Sequence, residues 1–164
     1  MHIFGIHRQM IRPARKSDTA RIFELLHQVA EIHYGLRPDV FRAGAAKYDA
    51  EALAALLEQP ARTPVFVCDE GGLVTGYVFC RIEEVRGDGL MKDVKTLYID
   101  DLCVDEALRG RHIGSALYSF AADYARKAGC YNLTLNVWEG NSAALQFYVH
   151  CGMRVRKTCM EQIL

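Results

Sequence analysis

The spacing of apolar positions changes character several times along the chain. "MIRPARKSD" (10–18) reads as a short strand running into a helix cap, with Ser17 or Asp18 placed to accept the first free N–H groups. Ile22, Leu25, Leu26, Val29 and Ile32 then recur at helical spacing, which predicts a long helix with one apolar face. Pro38 disfavours helical backbone at Arg37 and ends it. A second, Ala/Leu-rich helix is expected over 49–58, stopped by "QPARTP". From there the period shortens. "VFVCD" and "LVTGYVFCRIEEV", joined by "EGG", read as a hairpin, and after the polar loop "RGDGLMKD" the run "VKTLYIDDLCV" is another long strand. A helix starting near Ser115 carries Leu117, Phe120, Ala121 and Tyr124 on one side and ends at Gly129. "YNLTLNVW" reads as a strand, "NSAALQFYVHCG" as a helix closed by Gly152, and "MRVRKTCMEQIL" alternates as a final strand.

The expected order is therefore β-α-α-β-β-β-α-β-α-β, an α/β chain with a mixed sheet. No internal repeat, low-complexity tract or linker interrupts it, so one domain is expected over 10–164, preceded by an extension at 1–9. The 164 residues are 51% apolar and 24% charged, ordinary for a globular chain. Lysine plus arginine equals aspartate plus glutamate at 20 each, so no overall field draws the molecule to nucleic acid or an anionic membrane. An anion site, if present, has to be local. The six cysteines show no C-x-x-C pair and no zinc-ligand spacing with the histidines, so no metal is expected. Cys68, Cys80, Cys103 and Cys159 lie in strand-like runs as small hydrophobes, which points to reduced thiols and the cytoplasm. Neither a signal peptide nor an apolar run of about 18 residues is present, so no membrane span is expected.

The local candidate is "ALRGRHIGSAL" (107–117), where a strand's end meets a helix's start. The first turn of a helix leaves N–H groups without partners and carries partial positive charge, a natural seat for phosphate. Gly110 and Gly114 allow close backbone approach, and Arg109 and Arg111 add donors. A bare R-G-x-x-x-G is equally a solvated loop, and it is neither a Walker A loop nor a dinucleotide fingerprint. Its neighbours decide. "YIDDLCVDEALRGRHIGSALYSFAADYARKAG" resembles the acyl-CoA-binding segment of the GNAT superfamily of N-acetyltransferases: a strand, a short acidic turn, then Q/R-x-x-G-x-G/A opening a helix. Arg109 takes the first place and Gly114 the last, while His112 departs from the pattern by standing at the middle glycine's place. "LNVWEGNSAALQFYVHCGMR" resembles the family's next segment, with Asn141, Tyr148 and Gly152 at matching positions, and "MIRPARKSDTARIFELL" extends the likeness more weakly to the front.

The resemblance implies a GNAT-like acyl-CoA N-acyltransferase fold, a central mixed, largely antiparallel sheet of about six or seven strands flanked by about four helices. It implies acetyl-CoA as acyl donor, its pantetheine bonded by the backbone of Leu102, Cys103 and Val104 and its diphosphate resting on Arg109, Gly110, Arg111, His112, Ile113, Gly114 and Ser115. Asn141 would bond the pantetheine or cap its helix, two compatible roles. Tyr148 takes the family's general-acid position, protonating the departing thiolate; a packed aromatic with its hydroxyl at the surface would also suit it. An alkyl amine with a pKa near 10.4 is almost wholly protonated at pH 7, a barrier of roughly 4 to 5 kcal/mol, so a base is needed. Asp100 and Asp101 are the candidates. Strand alternation would place them on opposite faces, and Asp100, expected to share a face with Leu102 and Val104 and matching an acidic residue of some relatives, is the choice. A solvated acidic strand end is the plainer reading of the same pair. Transfer would be direct, leaving Cys103 a buried thiol rather than a nucleophile.

The acceptor side, around "EIHYGLRPDVFRAG" with His33, Tyr34, Arg37 and Asp39, is the least specific part. A small-molecule primary amine is the expected acceptor, with a protein N-terminus or lysine as rival and a non-catalytic acyl-CoA-binding sensor as a second. The resemblance also allows a homodimer through sheet edges or the C-terminal strand.

Overall fold

The computed structural model describes residues 9–164, and all statements below concern those residues. The first nine expected elements form in the expected order: β1 (Met10–Pro13), α1 (Thr19–Leu36), α2 (Ala50–Leu57), β2 (Val65–Glu70), β3 (Leu73–Val85), β4 (Val94–Val104), α3 (Ile113–Lys127), β5 (Asn132–Thr134) and α4 (Ser142–His150). The sheet has five strands in the order β1-β2-β3-β4-β5, antiparallel except for the parallel pair β4–β5. It is thus mixed and largely antiparallel, as expected, with fewer strands than the six or seven anticipated.

Two strands fall short of expectation. Of "YNLTLNVW" only Asn132–Thr134 pairs. "MRVRKTCMEQIL" forms no strand, and almost all of it is exposed, Cys159 included. Alternation lets a segment be a strand, but it becomes one only where an edge accepts its hydrogen bonds. The edge next to it in sequence, β5, is three residues long.

The sheet is covered on both faces. Val65, Val67, Tyr77 and Phe79 pack with Ile22, Leu25, Leu26 and Leu53 of α1 and α2 on one side. Phe66, Cys68, Val78 and Cys80 pack with Ile113, Leu117, Ala121 and Ala125 of α3 on the other. This is the odd–even split a two-sided strand requires. The start of α1 corrects one expectation: neither Ser17 nor Asp18 caps it with a side chain. Asp18 is buried and accepts two hydrogen bonds from Arg12, at 2.7 and 2.9 Å, and one from the Arg15 backbone N–H, while Arg12 also binds Asp69. A desolvated carboxylate gains more from a two-pronged guanidinium than from helix N–H groups.

Gly76 of β3 shows how tightly α3 seats. A β-carbon there would lie 2.7 Å from the Cys103 carbonyl oxygen, 3.1 Å from Leu117 and 3.3 Å from Ile113. Gly76→Ala should therefore lower stability by about 1–3 kcal/mol, read as a lower urea midpoint with an unchanged slope. An unchanged midpoint would show that β4 and α3 yield there freely.

Candidate active site

Past β4 the chain turns at Asp105, whose carboxylate accepts from the Ala107 N–H at 3.1 Å and pairs with Arg21. Arg109 is extended, Gly110 has φ 81°, and His112 has φ 61°. A glycine adopts such a conformation freely, whereas at His112 it costs of order 1–3 kcal/mol. His112 is the one non-glycine residue in this state among the described residues. The departure from the family pattern is thus absorbed by the backbone, which keeps the bend a glycine would make. α3 starts at Ile113, whose side chain is buried under the sheet, and Gly114 lies where a β-carbon would touch Phe147 at 3.4 Å and Val104 at 3.6 Å. The first-turn N–H groups of α3 have no intrahelical partner, beside exposed Ser115. The two arginines divide. Arg109 turns back toward β4, with Nε 3.4 Å from the Val104 carbonyl, while Arg111 reaches away to Glu70 at 3.0 Å.

Beside this turn the sheet opens. β4 pairs with β5 only at Thr96↔Asn132, Leu97↔Leu133 and Tyr98↔Thr134. From Ile99 onward β4 has no strand on that side, so Leu102, Cys103 and Val104 line a gap that closes below at Tyr98. The Cys103 thiol is buried toward α1, its sulfur 3.5 Å from the Leu25 carbonyl, and burial pushes its pKa up to about 12. It is a packing group.

The gap originates in one extra residue. Phe79 pairs with Asp101 and Cys80 with Ile99, so Asp100 is a β-bulge with no partner on β3. The bulge reverses the facing of β4. Leu97 and Ile99 pack on the α3 side, but Cys103 three pairs further packs on the α1–α2 side, and Leu102 and Val104 join the α3 side. The expectation that Asp100 shares a face with Leu102 and Val104, opposite Asp101, is thereby overturned. Asp100 is bound by Tyr48 and Lys47 from the α1–α2 connection, and Asp101 accepts from Tyr77 at 2.9 Å; both carboxyls lie on the α1–α2 side. Burial, partly offset by the Lys47 ammonium, pushes the Asp101 carboxyl up to about 6. Tyr148 of α4, beside Phe147 and 6.3 Å from Tyr118 between ring centres, has its hydroxyl held well above the usual range by burial and by the Asp101 charge. It keeps its proton at neutral pH and sits within the field of the buried carboxyl.

Asn141 caps α4, accepting from the Ala144 N–H at 3.1 Å. Of the acceptor-side candidates, His33 stacks on Phe41, which meets Trp138 edge-on, and burial lowers the His33 pKa. Arg37 and Asp39 bind each other, and Arg37 also holds Glu161 and lies over Trp138. Among the described residues none of these groups hydrogen-bonds to either carboxyl, whose partners are Tyr48, Lys47 and Tyr77. Lys47, Tyr48 and Tyr77, which do reach them, carried no motif in "AAKYDAEAL" or "TGYVF". Among the described residues no group of three or more His, Cys, Asp or Glu is placed to hold a metal ion, and no helix is long and apolar enough to cross a membrane.

A mixed sheet parted beside a glycine-bearing strand–turn–helix loop narrows the class, and comparison with known proteins assigns it. The Acetyltransferase (GNAT) family model matches residues 24–153, and the chain belongs to that family. It is 32% identical over 92 residues to an uncharacterized N-acetyltransferase of Methanocaldococcus jannaschii, aligning with 56% of this chain but only 39% of that relative's length. It is 27% identical over 153 residues to the thialysine N-epsilon-acetyltransferase of Bos taurus, covering 87% of this chain and 82% of that one. The solved structure of a tetramutant protein from Bacillus halodurans superposes with a TM-score of 0.89 at 31% identity, covering 94% of this chain and 99% of that one.

The buried Asp101 makes a pH prediction. Its native pKa lies above its unfolded value, so its protonated form adds stability that is complete below about pH 4 and is lost as pH rises through 6. Asp101→Asn should raise stability at pH 7 by about 2 kcal/mol, an advantage that shrinks toward pH 4. Denaturant midpoints measured across that range check it, and a gain independent of pH would contradict the assignment.

Proposed function

We propose that the protein is an acetyl-CoA-dependent N-acetyltransferase that moves the acetyl group to a primary amine of a small molecule by direct attack. The observation that carries this reading is the opening of β4 from β5 beyond Tyr98, with the Asp100 bulge bringing two carboxyls to one side beside it. The residues present fit the donor. A Cβ-free turn at Gly110, the α3 first-turn N–H groups and Arg109 suit a diphosphate, with Arg111, His112, Ile113, Gly114 and Ser115 supplying the rest of the loop. The backbone of Leu102, Cys103 and Val104 suits an amide-bearing arm laid along an open strand, and Asn141 fixes the start of α4. Acetyl-CoA supplies an activated thioester.

The chain's own groups supply proton handling. Asp100 holds the incoming ammonium at the mouth of the α1–α2 side, and Asp101, with a pKa near 6, takes the proton; the bulge lets both act where flat alternation would allow one. Tyr148 gives its proton to the leaving thiolate. The acceptor class is supported by the bovine relative, named for acetylating a small amine, and by two carboxyls on one side of β4. The cytoplasm is supported by six free thiols. A homodimer is supported by Val155, Met160, Ile163 and Leu164, apolar yet exposed in the final segment.

Thiol release from acetyl-CoA, screened over alkyl amines, polyamines, amino acids and aminoglycosides, tests the reading. Tyr148→Phe should lower turnover about 10²-fold or more while leaving CoA affinity nearly unchanged. Equal turnover would remove Tyr148 from the chemistry, and tight CoA binding without thiol release for any amine would favour a sensor. In Asp101→Asn the acidic limb of the pH–rate profile should disappear; an unchanged limb would move the base elsewhere.

A further inference from the structure

One primary amine already lies against the carboxyls that await a substrate. Lys47, in the connection between α1 and α2, donates from Nζ to the Asp100 carbonyl at 2.8 Å and lies 3.0 Å from the Asp100 carboxylate. The ammonium also sits over the Tyr48 ring at 5.9 Å and acts on both Asp101 and His33. Its side chain is 41% exposed, and a second cation, Arg81, stands 4.0 Å from the other oxygen of the same carboxylate. Lys16 and Lys95, by contrast, are engaged by Glu58 and by the Ala128 carbonyl, away from the cleft.

We propose that Lys47 occupies the acceptor-amine position of this site and is acetylated by the chain itself when no acceptor is bound. The inference rests on the acetyltransferase reading above and adds a modification site to it. A tethered nucleophile needs no association step, which raises its effective concentration far above that of any free amine. In the reaction Nζ loses one proton and its lone pair forms the N–C bond to the thioester carbonyl carbon. The C–S bond breaks, and the new amide nitrogen loses its second proton. One proton reaches the thiolate by way of Tyr148 and the other leaves through Asp101 to solvent, so ammonium plus thioester gives amide, thiol and one released proton. Acetylation removes the charge at Lys47 and with it the ion pair to Asp100, leaving that carboxylate with the Tyr48 hydroxyl and Arg81 as its remaining partners beside an incoming cationic amine.

The experiment incubates the purified full chain with acetyl-CoA and no amine, following acetylation by intact mass and peptide mapping. The expected first product carries one acetyl group, on Lys47, formed at least about 10-fold faster than on any other lysine and at a rate independent of protein concentration. Tyr148→Phe should slow it about 10²-fold, and Lys47→Arg should abolish the fast product while leaving slow acetylation of other lysines unchanged. An amine substrate should slow it by competition. Acetyl groups spread evenly over the lysines, or a rate that rises with protein concentration, would overturn the proposal. Lys47 left unmodified in the amine-free incubation of a protein that turns over an added amine in a separate assay would also overturn it and leave the acetyltransferase reading standing; no binding of acetyl-CoA would bring down both.

Discussion

One residue too many in β4 governs this molecule's chemistry. A strand that keeps its pairing on one side while accommodating an extra residue has to bend and twist away from its other neighbour. Here the extra residue is Asp100, and the three-residue ladder to β5 ends just before it. The same insertion reverses which residues face which layer, so Cys103 enters the α1–α2 core while Leu102 and Val104 turn to the α3 side. A free strand edge and two carboxyls on a common side both follow from that local event.

These features carry an energetic cost that packing elsewhere offsets. Two neighbouring carboxyls are brought to one side, Asp101 is desolvated enough to raise its pKa to about 6, and His112 is held in a left-handed conformation. Against this, the sheet is sealed on both faces by apolar side chains, and the Arg12–Asp18–Asp69 cluster ties β1, the entry to α1 and β2 together far from the cleft. Strained and desolvated groups inside an otherwise well-packed chain are a common mark of functional sites.

Most of the fold was legible because helices and strands bury their faces at different periods. The long α1 stripe of Ile22, Leu25 and Leu26 and the odd–even pattern of Val65 to Cys68 left little choice. What escaped required a partner in space. The alternation of "MRVRKTCMEQIL" is real, but no edge takes it up, and Asp18 abandoned its cap for Arg12, a residue whose approach only the β1–β2 pairing sets. The proposed anion loop and Tyr148 rest on motif, whereas the facing of Asp100 and Asp101 escapes a reading by strict alternation because a bulge intervenes. Lys47, Tyr48 and Tyr77 reach the cleft from unremarkable stretches, and only the tertiary fold brings them to the carboxyls.

The central claim is that the open edge of β4 and the first turn of α3 grip coenzyme A through their main-chain amides. Amide hydrogen exchange with and without CoA reads those groups residue by residue. Added CoA should slow exchange at Leu102 to Val104 and at Gly110 to Ser115, with the distant β1–β2 ladder unchanged. Saturating CoA that leaves both segments exchanging as in the free protein would contradict the account.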